Sequence, residues 1–291
     1  MQKRPHASPV AKHPEQRQPD AEDGFSLSGH EEGEVEEKRP PRAAVLHEII
    51  RREGEQELNR GAVALGLSAL AAGLSMGFSL LARGLLHRYM PEGSARYLIE
   101  NLGYSFGFIV VILARQQLFT ENTMTAVLPL MTDPSLGRFM ALLRMWAIVL
   151  AGNLLGVAVF AWGILHLQQF DDLTQAAFVR FGRELMLNSP WQMFSKGILA
   201  GWLVATMVWL LPAADQSKIL VIVLTTYLIA LGGFTHIIVG SLETLYLVFS
   251  GDLSLTDYAL RFALPTLAGN IVGGSLIFAL ISHAQVRSDG A

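Results

Sequence analysis

Two short polar interruptions inside apolar runs constrain this chain more than any other feature. The first, Leu118-Phe119-Thr120-Glu121-Asn122-Thr123-Met124, follows a hydrophobic stretch that begins at Leu98 and precedes another from Ala126 to Met131. The second, Gly232-Gly233-Phe234-Thr235-His236, lies inside the apolar run that starts at Ile219. A water-soluble helix has no need of such a pattern. In a membrane, irregular backbone is tolerated only where protein buries it or where it lines a water-filled cavity. Two breaks in one chain therefore point to a permeation path.

The charges are distributed to match. Residues 1–60 hold 23 of the 47 Asp, Glu, Lys and Arg residues and 6 of the 12 prolines, which leaves 24 charges for the other 231 residues. An ordinary soluble domain is about a quarter charged. The net charge of −3 gives no sign of a nucleic-acid partner, and the absence of cysteine excludes disulfides and thiolate metal sites. The polar, Pro-rich N-terminus is unlike a cleavable signal peptide. The sequence has no Gly-rich phosphate loop, no metal-spaced His cluster and no nucleophile constellation. We read it as neither an enzyme nor a cofactor protein.

Residues 1–42 read as a disordered, charged tail with the acidic cluster Glu31-Glu32-Gly33-Glu34-Val35-Glu36-Glu37. In 43–60, Val45, Leu46, Ile49 and Ile50 fall at helical spacing among charges, the pattern of an amphipathic helix at the membrane surface. A six-helix transmembrane domain then spans 61–284, followed by a short C-terminal tail, 285–291. The expected crossings are Gly61–Leu86, Leu98–Met131 broken at 118–124, Arg138–Leu165, Phe194–Leu211, Ile219–Val248 broken near His236, and Arg261–Ile281. Each reaches or approaches the ~20 residues that cross ~30 Å of hydrocarbon. Lys38, Arg39, Arg42, Arg51, Arg52 and Arg60 precede the first crossing, so the N-terminus is expected in the cytoplasm, and six crossings return the C-terminus there.

The two halves echo each other. Arg144-Met-Trp-Ala-Ile-Val-Leu-Ala-Gly-Asn-Leu-Leu-Gly156 lies over Arg261-Phe-Ala-Leu-Pro-Thr-Leu-Ala-Gly-Asn-Ile-Val-Gly273, identical at six of 13 positions with an offset of 117. The same offset places Leu118–Met124 on Thr235–Ser241. Three crossings per half is an odd number, so the second copy is expected upside down, as an inverted 3+3 repeat with its site near the midplane between discontinuous helices. Gly152 with Gly156 and Gly269 with Gly273 form small-xxx-small pairs. Asn153 and Asn270 are expected to hydrogen-bond to a neighbouring helix there.

These same motifs resemble the formate/nitrite transporter family: the Leu-Phe-Thr-x-Asn-Thr loop after the second crossing, Ala151-Gly152-Asn153-Leu154-Leu155-Gly156 in the third, and Gly233-Phe234-Thr235-His236 in the fifth. The resemblance covers about residues 55–283. It implies an aquaporin-like protomer with broken second and fifth helices, a pore through each subunit, and a homo-oligomer, a pentamer, in a bacterial inner membrane. It also implies small monovalent anions as substrates: formate, nitrite, hydrosulfide, acetate or lactate. Leu118, Phe119 and Thr120 match the constriction loop, with Asn122 in the same motif, and His236 matches the central histidine that they face. Phe108 and Ile229 fall near further hydrophobic constriction residues. Gly201, in Ile198-Leu199-Ala200-Gly201, stands where the family often has Asn. Leu185 stands near a vestibule Lys of many members, a role for which Arg183 and Lys196 are the candidates here, and Gly240 replaces a further Asn.

A midplane histidine suits such a task, because its reference pKa of about 6.5 lies close to neutrality. His236 is expected to hydrogen-bond to the anion or protonate it, with Thr120 orienting the ring and Leu118 and Phe119 keeping the passage narrow. Two alternatives stand beside this reading: a pore for neutral solutes, and a non-conducting scaffold of the same fold. Glu121 and Glu243 read as structural acids, Arg144 and Arg261 as interfacial cations, and His166 and His283 as interfacial residues near span ends.

Overall fold

The computed structural model describes residues 27–39, 41–167 and 169–289. Most of the N-terminal tail, 1–26, lies outside the described residues. Part of the remainder is helical. Helix α1, Gly29–Lys38, starts where Ser28 and Glu31 exchange hydrogen bonds: the Ser28 N–H and hydroxyl donate to Glu31, and the Glu31 N–H donates back to Ser28 Oγ. This reciprocal cap satisfies donors that a helix start leaves free.

The remaining chain, from Pro41 onward, forms a separate unit with helices and no strands among its described residues. Helix α2 is Ala43–Leu58. Five further helical stretches are long and apolar enough to cross a membrane: α3, Ala62–Tyr89; the run Ser94–Leu113, formed by α4, Ser94–Leu102, and α5, Ser105–Leu113; α8, Leu136–His166; α10, Pro190–Leu210, with a short continuation to Ala213; and the last, α13, Leu255–Asp289. Between them lie five shorter helices. These are α6, Phe119–Thr125; α7, Val127–Thr132; α9, Asp172–Met186; and the pair α11, Lys218–Leu231, and α12, Ile237–Ser250.

Local chemistry explains the boundaries. Ser189 and Gln192 form a capping box around Pro190 and start α10. The step between α4 and α5 is held by Ser79 Oγ, which donates to Tyr104 O at 2.6 Å and accepts from Gly107 N–H at 3.1 Å. In α13 the turns widen to π geometry over Tyr258–Ala263, immediately before Pro265, whose ring displaces the carbonyl four residues back. The expected C-terminal tail is helical to Asp289, because Ser282 and His283 are buried and hold the last turns in place.

The connector into α9 makes a pH prediction. Asp171 Oδ1 accepts from the Thr174 N–H at 2.8 Å and caps α9, while Oδ2 pairs with Arg88 at 2.8 Å. The guanidinium first, and the cap second, hold this carboxyl at about 2, below its ordinary 3.8. A depressed acid stabilises the fold above its unfolded pKa and loses that contribution as pH falls through the folded one. Protection of the amides at residues 172–175, taken relative to their intrinsic exchange rates, is therefore expected to be flat above pH 4 and to fall from there toward about 2. Asp171→Asn, which keeps an oxygen cap but loses the ion pair, should remove most of that pH dependence.

Candidate functional site

The site is built where two helices begin in mid-fold. The first break is placed differently from the expectation. Residues 119–125 are helical, and the irregular backbone is 114–118, ending with Leu118 in extended geometry as the cap of α6. Arg115 there has φ 53°. In the second break Gly233 has φ 57°, and His236 is the extended cap of α12. A left-handed backbone suits glycine and costs an arginine about a kilocalorie or more.

The two breaks match bond for bond at an offset of 118. Gln116 N–H donates to Val111 O at 2.9 Å, and Phe234 N–H to Ile229 O at 3.0 Å. Asn153, fully buried on α8, accepts from Phe119 N–H at 2.9 Å and donates to Ala69 O and Gln117 O, each at 2.8 Å. Asn270, fully buried on α13, accepts from Ile237 N–H and donates to Gly197 O and Thr235 O, each at 2.9 Å. Each asparagine satisfies the first free N–H of one mid-fold helix and ties it to two neighbouring segments. The sequence offset of 117 had paired Leu118 with Thr235. The hydrogen bonds pair it with His236.

The correspondence extends to a pair of helices that sequence reasoning left unmatched. Gly54 of α2 lies under the Thr125 carbonyl, and Gly182 of α9 under the Glu243 carbonyl, in each case too close for a side chain. Arg144 donates to Leu58 O at the end of α2, and Arg261 to Met186 O at the end of α9. The signal was present: Arg52-Glu53-Gly54 recurs as Arg180-Phe181-Gly182 at an offset of 128.

Between the breaks sits a dry ring. Thr120 Oγ1 lies 2.8 Å from His236 Nε2. His236 Nδ1 accepts the Val239 N–H at 3.3 Å. An accepting Nδ1 places the proton of a neutral imidazole on Nε2, so His236 donates to Thr120. Phe108 packs edge-on against the imidazole, with ring centres 5.1 Å apart. Leu118, Phe108, Thr120, Ile229 and His236 are each no more than 1% exposed.

Two cavities with no residue in common end on this ring. One, of about 440 Å³, is lined by Leu118, Gln117, Glu121 and Asn122 with Glu53 and Glu57 of α2, Arg115 and Lys218. The other, of about 210 Å³, is lined by His236, Thr235 and Ile229 with Arg83, Lys196, Glu184 and Glu243. The structure thus gathers Leu118, Thr120, Phe108, Ile229 and His236, with Asn122 and Lys196 in the cavities. Phe119 turns away and packs edge-on against Trp146. Gly201 lines neither cavity and instead lies against the Asn270 backbone. Arg183 is 65% exposed, pairs with Asp252 and lines neither cavity.

One residue is placed differently from its sequence reading, and one structural acid gains a partner. His283 is buried rather than interfacial, with its Nδ1 2.9 Å from His47 Nε2 of α2. Glu243 is buried in an ion pair with Arg83, a residue the sequence reading passed over. An arginine inside the apolar stretch of the first crossing, near its C-terminal end, was the available signal, since ionisable groups within a crossing are costly and tend to be functional.

The family profile described as formate/nitrite transporter matches residues 44–284. The chain is 56% identical over 257 residues to the inner membrane protein YfdC of Escherichia coli (strain K12), covering 88% of this chain and 83% of that one. It is 25% identical over 216 residues to a probable formate transporter of Methanothermobacter thermautotrophicus, 68% of this chain and 78% of the other. Its fold matches a pentameric formate channel solved with formate bound, with TM-score 0.68 and 22% identity, over 78% of this chain and 98% of that chain. By the extent of the profile match and the closeness of these sequences, the chain belongs to the formate/nitrite transporter family, whose members are transporters and channels rather than enzymes.

Proposed function

We propose that the protein conducts small monovalent weak-acid anions, of which formate and nitrite are the first to test, through a pore in each protomer of a homopentamer in the bacterial inner membrane. The pair of cavities that end on Leu118 and on His236, with Phe108 and Thr120 buried between them, carries this reading. In it six crossings are made by α3, by α4 to α7, by α8, by α10, by α11 with α12, and by α13. The matched contacts support two halves in inverted orientation, with α2 and α9 on opposite faces, the ring near the midplane and both termini cytoplasmic. Outward apolar side chains such as Leu67, Trp162 and Leu224 then meet lipid or a neighbouring protomer. The pentamer is supported by the solved channel that shares this fold.

A bare anion cannot enter such a ring cheaply. The idealised cost of placing a carboxylate-sized ion in low dielectric is of order 20 kcal/mol, with several kcal/mol left after relaxation. His236 Nε2–H, which otherwise donates to Thr120, is the donor that the anion takes over from that hydroxyl oxygen. The histidine hydrogen-bonds the anion or, in its imidazolium form, gives it a proton and takes one back from the aqueous side, so that the solute crosses as the neutral acid. Thr120 holds the ring through its oxygen and keeps its own O–H for the passing solute. The test is formate and nitrite uptake by purified protein in proteoliposomes. His236→Asn is expected to lower flux at least about tenfold, the worth of a charged hydrogen bond of ~1.5–3 kcal/mol, and to flatten its pH dependence. Unchanged flux and pH profile would remove the histidine's role. The dry ring also fits a pore for solutes already neutral, in which case His236→Asn leaves flux intact.

A further inference from the structure

The second cavity holds an ion pair that anion passage past His236 does not use. Arg83 donates from Nη1 to Glu243 Oε1, and its guanidinium lies over Phe181, 4.1 Å from the ring centre. Its Nε–H is buried without a hydrogen-bond partner. The two side chains are only 12% and 7% exposed, yet both line the cavity that ends on His236, together with Lys196. A guanidinium presents a planar fork of donors that matches a carboxylate-shaped anion through two of them. Here one edge of that fork holds an internal carboxylate and another donor is unfilled, on a side chain that lines the cavity.

We propose that Arg83 is a binding position for a small weak-acid anion, and that Glu243 is its built-in counter-ion, occupying the guanidinium when the cavity holds no substrate. This rests on the transport reading and deepens it. The exchange is balanced. An arriving acid gives its proton to the Glu243 carboxylate, which becomes a neutral carboxylic acid and leaves the guanidinium. The conjugate anion takes the Arg83 Nε and Nη donors in its place. One O–H bond breaks, one forms, and the cavity's net charge does not change. Reversal releases the acid toward His236. Admitting the anion without the proton would leave Glu243 charged, buried and unpaired, a costly arrangement.

The groups facing Glu243 are Arg83 from α3, the Tyr104 hydroxyl between α4 and α5, Glu184 from α9 and, across the same cavity, Lys196 of α10 and His236. Tyr246 is the other titratable group on α12 itself.

Full-length protein in proteoliposomes tests the assignment, with formate as probe and uptake by protein-free vesicles subtracted. In the wild type the half-saturating formate concentration is expected to rise with pH, approaching about tenfold per unit, because each bound anion brings one proton. Glu243→Gln keeps the shape and the bond to Arg83 but cannot take the proton, so its half-saturation should change less than about twofold over the same range. Arg83→Lys keeps the charge and loses the fork, and should raise half-saturation at least about tenfold at every pH. Equilibrium titration of detergent-solubilised protein with formate gives the same comparison without conduction. Binding with this pH slope but no flux in any variant overturns the transport reading and upholds the site. Flux with the same pH slope in wild type and Glu243→Gln overturns the site and leaves transport standing. Should Glu243→Gln fail to assemble, unchanged affinity in Arg83→Lys overturns it.

Discussion

Asn270→Leu is expected to abolish recovery of folded protein, and Asn153→Leu to do the same. Leucine shares the branching of asparagine and is the larger side chain, so the change opens no cavity. What it removes is three hydrogen bonds at a position of zero exposure. The Ile237 N–H and the Thr235 carbonyl are left buried without a partner, each at a cost of about 1–3 kcal/mol, while the Gly197 carbonyl keeps only the bond of its own helix. Their sum is comparable with the ~5–15 kcal/mol that holds a typical fold together. Size-exclusion chromatography of detergent extracts, with helicity against temperature, reads the outcome. Because Asn153 holds Phe119 N–H, Ala69 O and Gln117 O in the same way, the two single variants should fall together. A wild-type melting curve from either would show that the bonds at that start are dispensable.

Gly201→Asn comes second in size. It restores the residue that the family resemblance puts at this position, so a pathway role predicts a gain or a change in anion preference. The packing predicts damage. A Cβ on Gly201 would run into the carbonyl and Cα of Asn270, which are backbone atoms and cannot rotate away. Overpacking of this kind costs about 1–3 kcal/mol. The expected result is a lower thermal midpoint with no new selectivity. Gly73→Ala should behave like Gly201→Ala, since Gly73 meets the Asn153 carbonyl in the same way. A stable Gly201→Asn protein with altered anion preference would return this position to the pathway.

Much of this was legible because membranes restrict backbone so severely. Long apolar runs gave the helices, and a polar interruption inside one could be explained only by burial or a pore. The AGN repeats were readable for the same reason, since a buried asparagine must find partners, and both find them. Other parts were hidden for physical reasons. The exact bend of the first break depended on which N–H Asn153 accepts, and that is a tertiary choice. Gly201 carries no side chain to declare which neighbour it touches. Helix α9 resembles a polar connector in composition, and its kinship with α2 rests on one glycine and one arginine. His283 lies near the end of an apolar run, where interfacial residues are common, and only the docking of α2 buries it.

The correspondence between the halves also works as a ruler. It reads 128 through α2 and α3 against α9 and α10, 118 through the two breaks, and 117 through α8 against α13. Within each packed block the figure holds constant, because one residue gained there would carry Asn153 or Gly54 off its partner. It steps only across the segments that join blocks, around residues 90–93 and 211–217 and again around 133–135 and 251–254. Those joints are where the two halves differ in chain length. They are the natural places to add residues, a label or a cleavage site without disturbing the ring.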